Sequence, residues 1–471
     1  TFNVFRSTDV GKYVRIQNGL IRITKFTSGL VVSGEIMHKL DSTTGTTNWT
    51  LEVPSWDTTD GWPIDVGFTS GDRLVWARGD RIWLSVVGDY ENMSPSTLDD
   101  DAFTLALRTA EVSEIRGIIG ATELQLFSSG AEFIVTGGND APLTPTNFKI
   151  SSDTTYGADR TRVIRVNGET LFVDRSGRGL RKQVFDIQVN RYVAVDLLQL
   201  SQHLFPIGKT INDICYQRAP DTVLYAVRSD GVLPALTYLP AEQVVGWWQM
   251  VTSGVIESAC VIPHPDGDRE QVWLATQRTA NGTAVRYIER IDDTSLFSDT
   301  NGVSYGQKNT DATLSYTGVP ISVVAGLSHL EGRSVDVVGD GAYLGRLTVV
   351  SGQVTLPVAA SRIEAGLPYV ATLVTMRPEV QVQGTSQMVK KRNAKIGVRV
   401  YRTLALKGNG HILTKKSTTS RQALDGTGAL YSGDVDTANL GWDTDGKITL
   451  TSDQPLPATV LLLSSVLGVG V

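Results

Sequence analysis

The 471 residues are 41% apolar and 20% charged, enough hydrophobic material for folded cores, which excludes global disorder. A net charge of −6, from 43 basic and 49 acidic residues, excludes a broadly basic nucleic-acid-binding surface. Two cysteines, Cys215 and Cys260, exclude a disulfide-rich scaffold and a four-cysteine zinc site, and they read as two buried thiols.

Residues 1–60 open with short β runs at Gly11–Ile16, Leu20–Thr24 and Leu30–Ile36, a small sheet. From residue 61 to 295 the texture is β runs broken by glycine turns. Arg73–Trp76 and Arg81–Val86 flank Gly79, and Glu123–Phe127 and Glu132–Val135 flank Gly130. Thr170–Val173 and Leu180–Val184 flank Gly177, and Val223–Val227 and Leu233–Tyr238 flank Asp230-Gly231. Gln271–Ala275 and Ala284–Ile288 flank Asn281-Gly282. The turn glycines are spaced by 51, 47, 54 and 51 residues, so each unit reads as a hairpin in a repeat of about 50 residues. That spacing suits propeller blades and predicts a β-propeller-like body for 61–295. Evenly spaced hairpins of a sandwich are the plainer alternative. Helical periodicity is confined to weak stretches near Val193–His203 and Ala241–Val245.

Asp292 to Asp311 is polar and reads as a linker or exposed loop. Short strands follow at Ile321–Val324, Ser334–Val338, Arg346–Val350 and Gln353–Leu356, with an Asp340-Gly341 turn, and predict a small β-barrel module over 296–375. Residues 376–471 are β-rich, with an extended surface loop expected from Gly408 to Gly441. They resemble residues 1–60 in texture, so the two chain ends are expected to combine into one β platform. The fold class is thus all-β and multidomain.

Catalytic signatures are absent. Five histidines, His38, His203, His264, His329 and His411, lack paired metal-ligand spacing. No nucleophile elbow, phosphate-binding loop or dinucleotide fingerprint occurs. Carboxylates supply the one enzymatic option: Asp99, Asp100 and Asp101 form a run, and with Glu132, Asp174 or Glu289 a facing pair would serve glycoside hydrolysis. No spacing pairs any two of them, and a solvated, turn-capping run is the better reading. No catalytic, cofactor or metal residue is therefore assigned.

Other residues are candidates for contact. Lys390, Lys391, Arg392 and Lys395, continued by Arg399 and Arg402, form the strongest basic cluster, alternating with Val398 and Val400 like one strand face. It is a candidate contact for phosphate or an acidic partner, against a merely solvated strand face. Trp49, Trp56, Trp62, Trp76 and Trp83 crowd one stretch, and Trp247-Trp248 are adjacent. In a strand, adjacent residues point to opposite faces, so one of that pair should pack inside while the other meets a loop or partner. An aromatic sugar platform is the functional alternative to such packing.

A set of landmarks then appears in order. Phe5-Arg6-Ser7-Thr8-Asp9-Val10-Gly11 is followed by Trp49, Trp56, Gly61-Trp62-Pro63, Arg73-Leu74-Val75 and Ile82-Trp83-Leu84-Ser85. Asp99-Asp100-Asp101-Ala102-Phe103, Leu143-Thr144-Pro145, Tyr156-Gly157, Leu171-Phe172-Val173 and Ser201-Gln202-His203-Leu204 come next. Asp230-Gly231, Leu236-Thr237-Tyr238, Trp247, Arg286-Tyr287-Ile288-Glu289-Arg290 and Gly366-Leu367-Pro368-Tyr369 continue the order to Asp453-Gln454-Pro455-Leu456-Pro457.

With these landmarks the chain resembles the tail nozzle proteins of short-tailed bacteriophages, also called tail tubular protein B. The module opened by Gly326-Leu327-Ser328-His329-Leu330-Glu331-Gly332 is similar to the first catalytic cysteine half-domain of ubiquitin-activating enzymes, although it contains no cysteine. The resemblance implies a virion component at the distal end of the tail, forming a homohexameric ring. It further implies attachment to the adaptor or upper tubular ring, anchoring of tail fibres or spikes, and passage of genomic DNA without sequence-specific binding. Its alternatives are a host-surface carbohydrate-binding tail protein and a glycan depolymerase. On this reading Gly79, Gly130, Gly177, Gly231 and Gly282 carry turns, and Asp99, Asp100, Asp101, His203, Trp247 and Trp248 are interface residues or loop anchors.

Overall fold

The computed structural model describes residues 4–53, 62–95, 98–108, 113–120, 123–138, 142–292, 309–380, 388–413, 430–438 and 441–470. Among the described residues every regular element is an antiparallel strand or a short 3-10 turn. The chain divides into two compact units: Thr1–Tyr216, Thr222–Ser229 and Leu233–Gln249 form the first, and Gln217–Asp221, Asp230–Val232 and Met250–Val471 the second.

The first unit opens with β1 (Tyr13–Ile16), β2 (Gly19–Ser28), β3 (Val31–His38) and β4 (Trp49–Glu52), hydrogen-bonded in the order β3-β2-β1-β4. Gln17 and Asn18 both take positive φ, the geometry of a tight two-residue hairpin between β1 and β2. Four sequential meanders follow. They are β5 (Asp65–Phe68), β6 (Leu74–Arg78), β7 (Arg81–Leu84) and β8 (Phe103–Ala106); then β9 (Ile115–Gly120), β10 (Leu124–Ser128), β11 (Glu132–Thr136) and β12 (Lys149–Thr154). The third has β13 (Ile164–Val166), β14 (Glu169–Val173), β15 (Leu180–Asp186) and β16 (Arg191–Asp196). The fourth has β17 (Ile211–Gln217), β18 (Val223–Arg228), β19 (Leu233–Leu239) and β20 (Val244–Met250).

Burial explains how these meanders pack. In β6 and β7 the apolar residues alternate, sending Val75, Ala77, Ile82 and Leu84 to one face. β10, β14 and β18 are instead buried almost throughout, as strands covered on both faces must be. One core joins Val75, Ile82 and Phe103 to Leu126, Phe133 and Val135. Phe127 and Phe172, with ring centroids 5.0 Å apart, carry the packing from β10 to β14. A third core joins Leu171, Val173 and Leu180 to Leu224, Leu236 and Tyr238.

The second unit contains β21 (Val255–Pro263), β22 (Glu270–Ala280) and β23 (Thr283–Arg290) as a three-stranded meander. β24 (Asp311–Ala325), β25 (Ser334–Gly339), β26 (Ala342–Thr348) and β27 (Gln353–Leu367) pair as β24-β27-β25-β26 around Val324, Val335, Val337, Val354 and Ile363. The remaining strands are β28 (Ala371–Val374), β29 (Lys391–Thr403), β30 (Lys407–Gly408), β31 (His411–Ile412), β32 (Tyr431–Ala438), β33 (Thr449–Ser452) and β34 (Thr459–Val469). They form sheets β28-β33-β30-β31 and β32-β29-β34, with Ile396, Val398, Val400, Val435 and Leu450 in their core.

Three expectations are corrected. The body is not a propeller: each meander is an open sheet, and no sheet among the described residues closes or curls into a propeller or barrel. The module at β24–β27 is likewise an open four-stranded sheet whose edges are β24 and β26. Among the described residues the chain ends do not share a sheet, since β1–β4 pair only with one another. Hairpin spacing is a local property that fixes four-stranded meanders, whereas closure depends on pairing between distant strands that no local pattern encodes. The weak helical stretches also resolve otherwise. Val193–His203 divides between β16 and the 3-10 turn Gln202–Leu204, and Ala241–Val245 between the turn Pro240–Glu242 and β20.

Most of the expected linker Asp292–Asp311 lies outside the described residues, as does Trp56. Within the expected loop Gly408–Gly441, the described part includes strands β31 and β32.

Candidate functional site

The turn glycines act as joints between sheets. Gly79, Gly177, Gly231 and Gly282 have φ of +58°, +70°, +83° and +77°, a region that a side chain disfavours. The carbonyl of Gly79 accepts the N–H of Ile115, which begins β9, at 2.7 Å. Gly177 accepts from Ile211, which begins β17, at 2.7 Å, and Gly231 accepts from Ile256 in β21 at 3.2 Å. The turns at Gly79, Gly177 and Gly231 therefore hydrogen-bond the strand that follows in the series. A Cβ on Gly231 would stand 2.5 Å from the Cα of Val255, so this joint also requires glycine sterically. Gly130 differs: its φ is not positive, a Cβ there would meet Ser113 Oγ at 2.8 Å, and Ser128 accepts from Ala158 at 2.7 Å in its place.

The acid run is organised from below by an arginine. Arg73, 1% exposed, donates to the carbonyls of Ser85 at 2.6 Å, Asp101 at 2.6 Å and Asp99 at 2.5 Å. Its guanidinium carbon lies 5.2 Å from the centre of the Phe103 ring. Burial pulls the Arg73 pKa below the ordinary arginine value, while Asp100, Asp101 and Asp99 act in the opposite direction. Asp99 and Asp100 point outward, and Asp101 accepts the N–H of Leu98 at 2.8 Å. The run thus presents backbone to the arginine, with the Asp99 and Asp100 carboxylates toward solvent and that of Asp101 folded back on Leu98.

The other carboxylates are held by different partners. Asp174 binds Ser176 and lies 3.5 Å from Arg181. Glu289, in the second unit, chelates Arg278 at 2.5 and 2.7 Å, and Asp311 grips the same guanidinium at 2.7 and 3.1 Å. Burial pushes the Asp311 carboxyl up, but Arg278 and Thr252 prevail and hold it below the usual value. Glu132 is fully buried and receives Tyr156 N–H at 3.4 Å through one oxygen, while the other has no hydrogen-bond partner among the described residues. Burial raises its pKa above the ordinary carboxyl value. The structure does not assemble these acids into a facing pair.

A second clamped loop follows β16. Asp196 receives Leu198 N–H at 2.7 Å and Trp247 Nε1–H donates to Leu197 at 2.8 Å. Arg178 donates twice to the Phe205 carbonyl, at 3.0 and 2.8 Å, and Arg228 to that of Leu204 at 2.5 Å. Leu204 and Phe205 are buried, and Trp247 meets the Phe205 ring edge-on at 6.0 Å. His203 is exposed in the 3-10 turn of this loop. Trp247 thus packs inside, while its neighbour Trp248 is 40% exposed, edge-on to Tyr225 and bonded to Thr237.

The basic residues do not share one face. Lys390 precedes β29 and is exposed; Lys391 is buried, its ammonium without a hydrogen-bond partner among the described residues. Arg392 lies 5.7 Å from the Trp442 ring centre. Lys395 reaches outward to Asp436 at 2.6 Å and Arg399 to Asp434 at 2.8 and 3.0 Å. A register shift between Asn393 and Lys395 changes the phase of the strand, which is why the cluster splits.

His264, Asp266 and Asp268 bring ligand-type atoms within 4.8 Å of one another at the β21–β22 turn, a grouping the scattered histidines did not suggest. Arg269 occupies that position, 2.9 Å from His264 Nε2 and from Asp268, so the loop supplies its own cation. The expectation of two buried thiols is corrected: Cys215 is buried and Cys260 exposed, because Cys260 falls on an outward position of β21. The arginine clamps escaped sequence reading, since an arginine bonding to carbonyls leaves no residue-type partner to find.

No family model matches the chain, and no curated protein matches it. Raptor of Chaetomium thermophilum is similar over 64% of this chain and 28% of its own length, at 16% identity and a TM-score of 0.30. PorZ, a surface component of the type-IX secretion system of Porphyromonas gingivalis, is similar over 72% and 53%, at 12% identity and 0.32. A putative 6-phosphogluconolactonase from Bacteroides uniformis is similar over 58% and 80%, at 9% identity and 0.31. This chain thus spans little more than a quarter of the Raptor chain it matches, and likenesses at these scores carry no argument about function.

Proposed function

We propose that this chain is a structural component of a short bacteriophage tail, forming the nozzle ring at its distal end. In that role six copies surround the DNA ejection channel, join the adaptor or upper tubular ring, and anchor host-binding fibres or spikes. The observation that carries the reading is where the ordered landmarks fall. Arg73, Asp99–Asp101, Leu171–Val173, Ser201–Leu204, Asp230-Gly231 and Trp247 are clamps, core and joints rather than a reaction centre.

A protein that transmits force and position is expected to invest its distinctive residues in such parts. Serial sheets joined turn to strand and packed face to face make a stiff body. A negative net charge suits a wall that DNA passes without adhering, because adhesion to DNA comes from phosphate neutralisation by clustered cations. The outward cations Lys395 and Arg399 already face aspartates.

Gold-labelled antibody against the chain tests the proposal on purified particles. Decoration of the distal tail tip is expected. Decoration confined to peripheral fibres would favour the host-surface, glycan-binding alternative, and no decoration would overturn the proposal.

A further inference from the structure

Four Asn-Gly pairs lie among the described residues: Asn18-Gly19, Asn167-Gly168, Asn281-Gly282 and Asn409-Gly410. Each asparagine takes positive φ at a hairpin turn. An asparagine followed by glycine can react with its own backbone, because no side chain shields the glycine nitrogen from the asparagine Cγ. How readily it does so in a folded chain depends on what holds the turn shut.

Asn409 is held twice. Its N–H donates to the Thr449 carbonyl at 2.7 Å, and its Oδ1 accepts the N–H of Thr449 at 2.7 Å. Backbone and side chain are thus both tied to β33. Asn18 is held differently: its Nδ2 donates to Asp41 at 2.8 Å, and Gly19 is buried as the first paired residue of β2, opposite Ile16. Asn281 has none of these restraints. Ala280 pairs with Thr283, so Asn281 and Gly282 are the whole loop, and both are exposed. Nothing lies within 4 Å of a Cβ placed on Gly282. Among the described residues the one side-chain hydrogen bond of Asn281 runs from Nδ2 to the Ser328 carbonyl, at 3.5 Å. Asn167 resembles it, with Nδ2 3.5 Å from the Tyr216 hydroxyl, but it follows the buried, β-branched Val166 instead of an alanine.

We infer that Asn281 is a site of spontaneous deamidation in the folded chain, with Asn167 slower and Asn18 and Asn409 protected. The Gly282 nitrogen gives its proton to solvent base and bonds to Cγ of Asn281. The Cγ–Nδ2 bond then breaks, and ammonia leaves with a proton taken from water. Water opens the resulting succinimide at either carbonyl, giving aspartate or isoaspartate. Either product places a carboxylate beside the Ser328 carbonyl, where Asn281 places a donor. Isoaspartate also adds a methylene to the backbone of a loop with only two residues. The β22–β23 hairpin therefore carries a built-in ageing point, whatever assembly the chain enters.

The test is peptide mapping by mass spectrometry of the full chain, aged in warm, mildly alkaline buffer in its native state and again in denaturant. In the native chain Asn281 is expected to convert about tenfold faster than Asn409, the effect of the two hydrogen bonds that only Asn409 keeps. In denaturant the two sites are expected to convert at similar rates, because only their shared Asn-Gly chemistry remains. Equal rates at Asn281 and Asn409 in the native chain would overturn the inference. So would an Asn281 that stays intact in the native chain over a period in which the denatured chain converts.

Discussion

Three arginines of the first compact unit, Arg73, Arg178 and Arg228, direct their guanidiniums at backbone carbonyls, whereas Arg399 and Lys395 of the sheet β32-β29-β34 pair with aspartates of the neighbouring strand. Arg73, Arg178 and Arg228 each hold backbone carbonyls of a long connection. Arg399 and Lys395 meet Asp434 and Asp436 in solvent, with more than half of each side chain accessible. Replacing a buried donor strands several acceptors, while replacing a surface charge exchanges one solvated partner for water. The same residue type is therefore architecture in one region and ornament in the other.

The sharpest way to break that contrast is Arg73→Met. It leaves the carbonyls of Ser85, Asp99 and Asp101 without their donor, and a loss of about 4 kcal/mol is expected in denaturant unfolding. A loss below about 1 kcal/mol would show that water replaces the guanidinium freely. Gly231→Ala comes next, at roughly 2–3 kcal/mol, because a positive φ and the 2.5 Å approach to Val255 act together. Gly282→Ala serves as its control: nothing lies within 4 Å of its Cβ, so only backbone strain of about 1 kcal/mol remains. Equal losses at the two glycines would remove the steric part of the joint argument.

Glu132→Gln sharpens the comparison from the side of burial. Burial raises the folded-state pKa of Glu132, so its contribution is complete below the unfolded value and is lost as pH rises through the raised one. The amide variant has no such loss. It should therefore gain stability relative to the wild type as pH rises above the ordinary carboxyl range. A pH-independent difference in melting would contradict this. The smallest effect belongs to Asp434→Ala, expected to change stability by about 0.5 kcal/mol or less and to respond to salt.

How far the sequence could be read follows from the range of each interaction. Asp230-Gly231 and Asn281-Gly282 announce hairpins because turn chemistry lies within a few residues, and strands β18, β19, β22 and β23 flank them. The all-β, multidomain character was legible for the same reason. That the meanders stay open sheets was not, since closure depends on which distant edges pair. Arg73 offers no clue to Asp99, 26 residues away, because its acceptor is a carbonyl that every residue carries. Lys391 was misplaced by one register shift, which alternation alone cannot reveal.

Cryo-electron microscopy of intact particles tests the central claim most directly, with this chain fitted into symmetry-averaged tail density. The account predicts a sixfold ring of copies around the tail axis at the distal end, with DNA passing through its lumen. Tail density that accommodates no copy of the chain on the axis, or places it only in peripheral fibres, would contradict it.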